Sequence, residues 1–415
     1  MNEYGIFGEQ DIIKLLPSML DGKELHSSLE TLPSINENIG NFCQASRLMA
    51  LNDIYKIYIP NTMSIEIYTK LYLAMLRAVQ KKASKNAIRQ QNINKINPSA
   101  EGIIGGGDSF SIIGASGIGK SSAIGKAVDL LSSKGIIEID NPYMSLIPTI
   151  LVQCPFDCSV KSLLLEILRA VDTILDTNYL EKAIKAKSTI DLLIGTVSQV
   201  LINHVAVLII DEIQNTVFNK AGSQLIGILT QLINSAGISI CLIGTPEVKP
   251  FFKSADYLAR RTIGLEYSAF EYSDYFKNFC ETLFEYQYTK NKVALTEEII
   301  HWLYEHSSGT LSLTVSIYHD CQEIAILNGI EEINLEVLNL AFQQRMGMMQ
   351  GFINPGITKK PRVKKEKTFI ADTFIENNEE TLSISDLVKK SKEENKDIIT
   401  LLKEHKITVE EVKTK

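Results

Sequence analysis

A glycine-rich stretch from Gly114 to Ser121 places the strongest constraint on the fold of this chain. It fits the pattern G-x-x-x-x-G-K-[ST], which predicts a phosphate-binding loop when a buried strand precedes it and a helix follows it. Both flanks meet that condition, because residues 110–113 are mostly apolar and residues 122–131 repeat apolar positions at helical spacing. The nucleotide-binding residues predicted from this pattern are Gly114, Ala115, Ser116, Gly117, Ile118, Gly119, Lys120, Ser121 and Ser122.

The residue types in this loop suit a nucleoside triphosphate. Glycines let the backbone curl so that its N–H groups face the phosphates, and a helix that begins at Lys120 adds the positive end of its dipole. We expect the Lys120 ammonium to reach the β- and γ-phosphates and the Ser121 hydroxyl to hold Mg²⁺. The alternative, a glycine-rich turn that only resembles the motif, does not account for the strand and helix on either side. The predicted cofactors are ATP and Mg²⁺.

A second pattern with catalytic chemistry lies at residues 205–212, where an apolar run ends in Asp211 and Glu212. A buried strand with two carboxylates at its end is typical of a Walker B segment. There Asp211 would support the Mg²⁺ ion and Glu212 would orient and polarise the attacking water. Another apolar run, at residues 238–243, ends just before Thr245. We expect the Thr245 hydroxyl to lie beside that water as a sensor of the γ-phosphate.

The apolar runs predict a doubly wound α/β domain with a parallel five-stranded sheet and its ligand at the carboxyl ends of the strands. The strand candidates span residues 110–113, 146–153, 205–211, 238–243 and 262–267. From residue 272 to 349 the pattern becomes helical, and six basic residues against one acidic residue follow at 359–367. We therefore expect an N-terminal extension over 1–57, an ATPase core with a leading helix over 58–268, a helical lid over 269–354 and a basic, flexible tail over 355–415.

Charge limits the surfaces with which this chain can bind nucleic acid. The net charge of −7 over 415 residues means that DNA binding needs a local basic surface. One candidate is the end of the helix predicted after residue 61, where basic residues from Arg77 to Lys95 have no acidic residue between them. The same run also fits a solvated helix end.

Cysteine spacing and hydropathy predict where the protein resides. The six cysteines are scattered, with no second close pair to complete a zinc set, and we interpret them as reduced thiols. The first residues lack the features of a signal peptide, and no apolar run is long enough to span a membrane. We expect a soluble, cytoplasmic protein without a membrane partner.

Together, the phosphate loop, the Asp-Glu pair, Thr245, the paired Arg260 and Arg261, and a helical lid resemble an AAA+ ATPase. Two longer segments, residues 153–161 and 208–215, are similar to segments of TnsC, the ATP-dependent regulator of heteromeric transposition systems, in the TnsC/TniB family. The resemblance extends from about residue 58 to 355.

This resemblance implies a protein that forms rings or filaments around double-stranded DNA, with about six or seven subunits per turn. The implied partners are transposase subunits similar to TnsA and TnsB, and a targeting protein similar to TnsD or TniQ. Either Arg260 or Arg261 would complete the ATP site of a neighbouring subunit. Lys161 matches a DNA-backbone contact in the family, and the turn at Thr177 offers a second contact.

One departure from the AAA+ pattern concerns the lid, where Leu313 and Thr314 occupy the neighbourhood of the usual sensor arginine. Coupling between lid movement and hydrolysis is therefore expected to be weak or to use another residue, which suits slow turnover in a switch. The order of strands in the family places the Thr245 strand between the phosphate-loop strand and the Walker B strand.

Two other functions keep the AAA+ fold. One is a DNA-loading or replication-initiator-type ATPase, which would need an appended sequence-specific DNA-binding module. The other is a signalling ATPase whose ring holds proteins together without DNA. An effect of duplex DNA on ATP hydrolysis separates the scaffold from the two DNA-binding functions.

Overall fold

The computed structural model describes residues 14–83, 109–140, 143–157, 159–217, 238–249 and 264–347, together with 225, 227–229 and 231–232. Arg260, Arg261 and the predicted tail lie outside these ranges. None of the helices found in the described ranges combines the length and the hydrophobicity needed to cross a bilayer.

A six-stranded sheet forms the centre of the α/β core. Its strands are β1 (Phe110–Gly114), β2 (Ile137–Asp140), β3 (Tyr143–Gln153), β4 (Val205–Asp211), β5 (Ser239–Gly244) and β6 (Leu265–Tyr267). They lie in the order β2-β3-β4-β5-β1-β6. The strand that precedes Thr245 therefore lies between the phosphate-loop strand and the Walker B strand, as the resemblance predicted.

The prediction of five parallel strands missed β2, which pairs antiparallel with β3 at the edge of the sheet. The other pairings between neighbouring strands are parallel. Strand β2 has only four residues, and its apolar Ile137 and Ile139 alternate with charged Glu138 and Asp140. A short edge strand that carries charge does not produce the continuous apolar run by which buried parallel strands are recognised.

Eleven helices have both of their ends within the described part of the chain. They are α1 (Gly22–Leu29), α2 (Gln44–Leu51), α3 (Thr62–Ala83), α4 (Lys120–Leu131), α5 (Val160–Leu175), α6 (Tyr179–Lys185), α7 (Ile190–His204), α8 (Asp274–Glu285), α9 (Glu297–Ser307), α10 (Leu311–Leu327) and α11 (Leu335–Arg345). Short 3₁₀ turns lie at Asn52–Lys56, Ile213–Val217 and Pro246–Val248.

Alternate residues of β4 face opposite sides of the sheet, so this strand contributes to two hydrophobic cores. Val207 and Ile209 pack in the core formed with α3 and α4, whereas Leu208 and Ile210 pack in the core formed with α5 and α7. Every residue of β4 before Asp211 is buried. This two-sided burial explains why β4 appears in the sequence as an unbroken apolar run.

A third core joins the C-terminal helices to part of the N-terminal segment. Tyr318 and Cys321 of α10 lie in its centre, and Leu51 and Ile54 from the N-terminal segment pack in the same core. No role for residues 1–57 could be predicted from the sequence. In the structure, α1 instead packs beside α3 and α4, so the described part of this segment contributes to two different cores.

A buried arginine fixes the N-terminal segment to the helical region. Arg47 is 2% exposed and donates from Nη1 and Nη2 to the two carboxylate oxygens of Glu331, at 2.6 and 2.7 Å. Its Nη1 also donates to the Tyr288 carbonyl oxygen at 3.1 Å. The Arg47 guanidinium lowers the pKa of Glu331. Such a bidentate pair adds geometric specificity to the contact.

Not all of the basic residues at the end of α3 lie on the surface. Lys82 is buried, and its ammonium donates to the carbonyl oxygens of Leu201 and Ile202 near the C-terminus of α7. Burial lowers the pKa of Lys82 to about 7. The interpretation of this run as a phosphate-contacting surface is therefore wrong for Lys82. Its ammonium instead donates hydrogen bonds to carbonyl groups near the end of a neighbouring helix.

We expect Arg47→Ala to lower the free energy of unfolding by about 3 kcal/mol, because the substitution leaves the Glu331 carboxylate in a largely buried position without its partner. The exposed pair between Lys56 and Asp53 offers the control, since Lys56→Ala should cost about 0.5 kcal/mol or less. Urea denaturation of both variants measures the difference. Equal losses would contradict the role given to Arg47.

Lys82 gives a pH dependence of stability. Its pKa is near 7 in the folded chain against 10.5 for an ordinary lysine, so between these values the unfolded chain holds a proton that the folded chain has released. The free energy of unfolding therefore rises with pH across this window. Lys82→Met removes this contribution. From pH 7 to pH 9, we expect the free energy of unfolding of the wild type, relative to that of the variant, to rise by about 2 kcal/mol. Denaturation curves at both pH values measure it, with the exposed Lys185→Met as control; parallel curves for Lys82→Met would refute it.

Candidate nucleotide-binding site

The phosphate loop connects β1 to α4, as its pattern predicts, and Lys120 is the first residue of the helix. The Lys120 Nζ donates to the carbonyl oxygens of Gly114 and Ala115, at 2.7 and 2.8 Å. Burial lowers the pKa of Lys120, and the carboxylates of Asp211 and Glu212 act in the opposite direction. The ammonium therefore lies inside the curl of the loop, close to the two acidic residues at the end of β4.

Ser121 and Asp211 meet across the sheet edge. The Ser121 hydroxyl donates to Asp211 Oδ2 at 3.3 Å. A hydroxyl and a carboxylate oxygen beside a phosphate loop are the protein ligands that Mg²⁺ takes in P-loop ATPases, where phosphates and water supply the rest. The residues present fit the magnesium site that the sequence predicts.

Glu212 has a left-handed backbone conformation, with φ of 60°, which is uncommon for a residue other than glycine. Two hydrogen bonds fix this turn: the Glu212 N–H donates to Asp211 Oδ1 at 2.8 Å, and the Asn215 N–H donates to the Glu212 carbonyl at 3.1 Å. The Asn215 side chain also donates to the Cys154 carbonyl at the end of β3, at 3.0 Å. Strained positions of this kind cluster at functional sites, and this one lies directly after the end of β4.

Thr245 lies where β5 ends, and two residues that the sequence analysis did not identify contact it. Its backbone N–H donates to Gln214 Oε1 at 3.3 Å. Its hydroxyl donates to the Glu247 carboxylate and thereby lowers the pKa of Glu247. Gln214 also lines the cavity described next. Its position two residues after Glu212 was the signal available in the sequence.

These residues converge on a cavity of about 400 Å³ between the sheet edge and the helical region. The phosphate loop, Asp211, Glu212 and Thr245 line one side. The other walls could not be predicted from the sequence. They come from the N-terminal segment, from the residues that lead into α3 and from the first turns of α10: Tyr55, Ile57, Tyr58, Ile59, Asn61, Met63, Leu311, Ser312, Val315 and Ser316. Polar loop groups at one end and mainly apolar and aromatic side chains at the other suit a nucleotide.

The helical region contacts the phosphate loop directly. The Ser312 N–H donates to the Gly117 carbonyl at 3.2 Å. A Cβ atom on Gly117 would lie 2.4 Å from the Ser312 hydroxyl oxygen. Thr314, in the neighbourhood expected for a sensor arginine, is buried and donates its hydroxyl to the Thr310 carbonyl at 3.2 Å. Ser312 and Thr310 are the residues of this turn that lie against Gly117.

The two predicted DNA contacts lie at opposite ends of α5. Lys161 is exposed in the first turn, where Ser159 caps the helix by accepting from the Ser162 N–H at 3.3 Å. Thr177 follows the last turn and donates its hydroxyl to Asp172 Oδ1 at 2.6 Å. A helix of this length separates the two positions by about 24 Å. The structure therefore does not bring Lys161 and Thr177 together. The Asp172 carboxylate that Thr177 contacts also accepts from the N–H groups of Tyr179 and Leu180.

We expect Gly117→Ala to weaken nucleotide binding and to lower the free energy of unfolding by more than about 1 kcal/mol. Gly117 has a positive φ of 79°, and the added methyl group would collide with Ser312. Gly125→Ala in α4 is the control, because no atom lies within 4 Å of its added Cβ and a helical alanine should stabilise by about 0.5–1 kcal/mol. Thermal unfolding and titration with a fluorescent ATP analogue measure both; an unchanged Gly117→Ala protein would contradict the contact.

Comparison with known proteins supports the fold. Residues 105–252 match the family model of the AAA domain, a type of domain that implies a P-loop ATPase able to hydrolyse nucleotide. No curated protein sequence matches this chain.

Solved structures show similarity at low identity. The ORC1 protein of Aeropyrum pernix in complex with DNA is 14% identical with a TM-score of 0.43, over 62% of this chain and 64% of that protein. Drosophila ORC bound to DNA is 11% identical with a TM-score of 0.43, over 96% of this chain and 86% of that protein. The ADP form of Aeropyrum pernix ORC2 is 14% identical with a TM-score of 0.39, over 62% and 66%. This chain thus spans a little under two thirds of the length of each Aeropyrum protein. The chain has an AAA+ P-loop fold with a six-stranded mixed sheet and a helical C-terminal region.

Proposed function

We propose that this protein is an ATP-hydrolysing switch that assembles on double-stranded DNA and regulates transposition. The observation that carries the ATPase part is the convergence of Lys120, the Ser121–Asp211 pair, Glu212 and Thr245 on one cavity. Each of these residue types has one task in phosphoryl transfer, and the sheet edge places all of them around the same space.

In this proposal, ATP with Mg²⁺ supplies the phosphoanhydride bond that water cleaves. The loop N–H groups hold the phosphates, and Lys120 exchanges its two loop carbonyl partners for phosphate oxygens. Ser121 and Asp211 hold the metal ion. Glu212 accepts a hydrogen bond from the attacking water and orients it, and Thr245 contacts the γ-phosphate from the neighbouring strand.

The charge of the cavity lining supports assembly into oligomers. Among the described residues that line the cavity, Lys120 is the only lysine or arginine, although a triphosphate carries several negative charges. A second cation from a neighbouring subunit would balance the charge that develops in the transition state. We assign this role to Arg260 or Arg261, which lie outside the described residues. The nucleotide would then lie between subunits, and its terminal phosphate would control assembly.

The transposition part of the proposal rests on the two segments similar to TnsC, residues 153–161 and 208–215, which form the β3–α5 connection and the Walker B turn. Exposed Lys161 would contact a phosphate of the DNA backbone without reading sequence. Transposase subunits and a targeting protein are the proposed partners. For the domains, we propose the boundaries predicted from the sequence, which lie after residues 57, 268 and 354.

A replication-initiator-type or DNA-loading ATPase would share every residue of the nucleotide site, so the geometry favours neither it nor the transposition regulator. Binding to DNA separates them. An initiator selects a sequence, whereas a regulator that encircles duplex DNA through phosphate contacts binds any sequence with a steep salt dependence. A protein that ignores DNA would be a scaffold.

We expect duplex binding to require ATP or a non-hydrolysable analogue, in gel shifts and in electron microscopy of assemblies. Lys120→Ala should abolish nucleotide binding and assembly. Glu212→Gln should bind ATP, lose at least about 100-fold in hydrolysis rate and keep the assembled state. Assembly that does not respond to nucleotide would refute the proposal, and so would a Glu212→Gln protein that fails to bind ATP.

For the DNA contact, we expect Lys161→Ala to weaken binding on every sequence tested and to reduce the slope of log K against log salt by about 1. Lys185→Ala is the matched control, because Lys185 is an exposed lysine on α6 that pairs with Glu181. Equal effects of the two substitutions would remove Lys161 from the DNA-binding surface. Binding to a single sequence would favour the initiator.

A further inference from the structure

Gln214 connects the loops that follow β4 and β5, which carry the predicted catalytic residues Glu212 and Thr245. Its Nε2 donates to the Glu212 carboxylate, and its Oε1 accepts from the Thr245 backbone N–H at 3.3 Å. One side chain thus joins the Walker B turn to the end of the neighbouring strand. It does so within the wall of the nucleotide cavity.

The chemistry of the partners dictates the orientation of the Gln214 amide. An ionised carboxylate only accepts hydrogen bonds and a backbone N–H only donates, so the amide nitrogen must face Glu212 and the oxygen must face Thr245. A glutamate at this position would place an acceptor against the Glu212 carboxylate. An apolar side chain would form a hydrogen bond with neither Glu212 nor the Thr245 N–H. The bridge requires a donor at one end and an acceptor at the other.

The backbone around the bridge is shaped for it. Gln214 belongs to the 3₁₀ turn Ile213–Val217, which follows the left-handed Glu212. On the opposite side, a Cβ atom on Gly244 would lie 2.8 Å from Ile213 Cγ2 and 3.1 Å from Gln214 Oε1. The absence of a side chain at Gly244 leaves the space in which the glutamine reaches Thr245.

We infer that Gln214 is a positioning residue that holds the Glu212 carboxylate at a fixed distance from the Thr245 strand end. Glu212 is exposed, and the Gln214 amide restrains its carboxylate from two residues further along the same turn. The other end of the Gln214 side chain is held by the Thr245 N–H at the end of the neighbouring strand. A contact made at Thr245 by the γ-phosphate is thereby transmitted to the residue that orients the water. This inference rests on the proposed ATP hydrolysis.

Two substitutions of similar length separate the two ends of the bridge. Gln214→Glu keeps an acceptor for the Thr245 N–H and loses the donor for Glu212, whereas Gln214→Met loses both. We expect both variants to lower kcat by about 10- to 100-fold, as a displaced catalytic group does, and to leave KM within about 3-fold of wild type. Gln44→Met, at an exposed glutamine of α2, should leave both constants unchanged.

Hydrogen exchange of the Thr245 amide, without nucleotide, provides a readout other than activity. Exchange should accelerate in Gln214→Met and remain slow in Gln214→Glu, since only the latter retains an acceptor. In the Glu212→Gln background, Gln214→Met should change the residual rate by less than about 2-fold, because the glutamine acts through Glu212.

The outcomes separate the inference from the proposed function. An unchanged kcat in Gln214→Met overturns the inference, and so does a further full loss in the Glu212→Gln background, which would indicate a merely structural role. Thr245 exchange that is equal in all three proteins also overturns the bridge. A wild-type protein that binds ATP without hydrolysing it overturns the proposed function instead.

Discussion

The site depends on one constraint, the parallel pairing of β1 and β4 with β5 between them. Ile113 pairs with Gly244, and Ile210 pairs with Leu242, so the three strands end at the same edge of the sheet. The phosphate loop, the Walker B carboxylates and Thr245 follow these ends directly. Residues far apart in the chain therefore meet because main-chain hydrogen bonds fix the register of their strands.

The helical region completes the site by contact with the phosphate loop. The bond between Ser312 and Gly117 brings the start of α10 to the loop, and the Arg47–Glu331 pair fixes the N-terminal segment to the same group of helices. The cavity therefore has one wall on the sheet and another on helices that pack in a separate core. Where two cores meet at a cavity, binding of a ligand in that cavity can change their relative position.

Within the site, a short chain of polar contacts connects groups that the sequence separates. Asp211 accepts from Ser121, Glu212 accepts from Gln214, and Gln214 accepts from Thr245. The first and the last of these contacts join the ends of different strands, and the second lies within the turn after β4. A chain of hydrogen bonds of this kind positions its members more strictly than isolated contacts do, which suits a site where the position of a water decides the rate.

The sequence by itself determined the phosphate loop, the central strands and the helical character of the C-terminal region, because local spacing and continuous apolar runs carry that information. It did not reveal β2, whose charged edge position leaves no such run, or the burial of Lys82, which is decided by the carbonyls of α7. It missed the cavity walls from Tyr55 and Ser312 and the bridge at Gln214. Only the tertiary structure decides such contacts, since they join residues by packing and direction, and neither property is present in the order of residues along the chain.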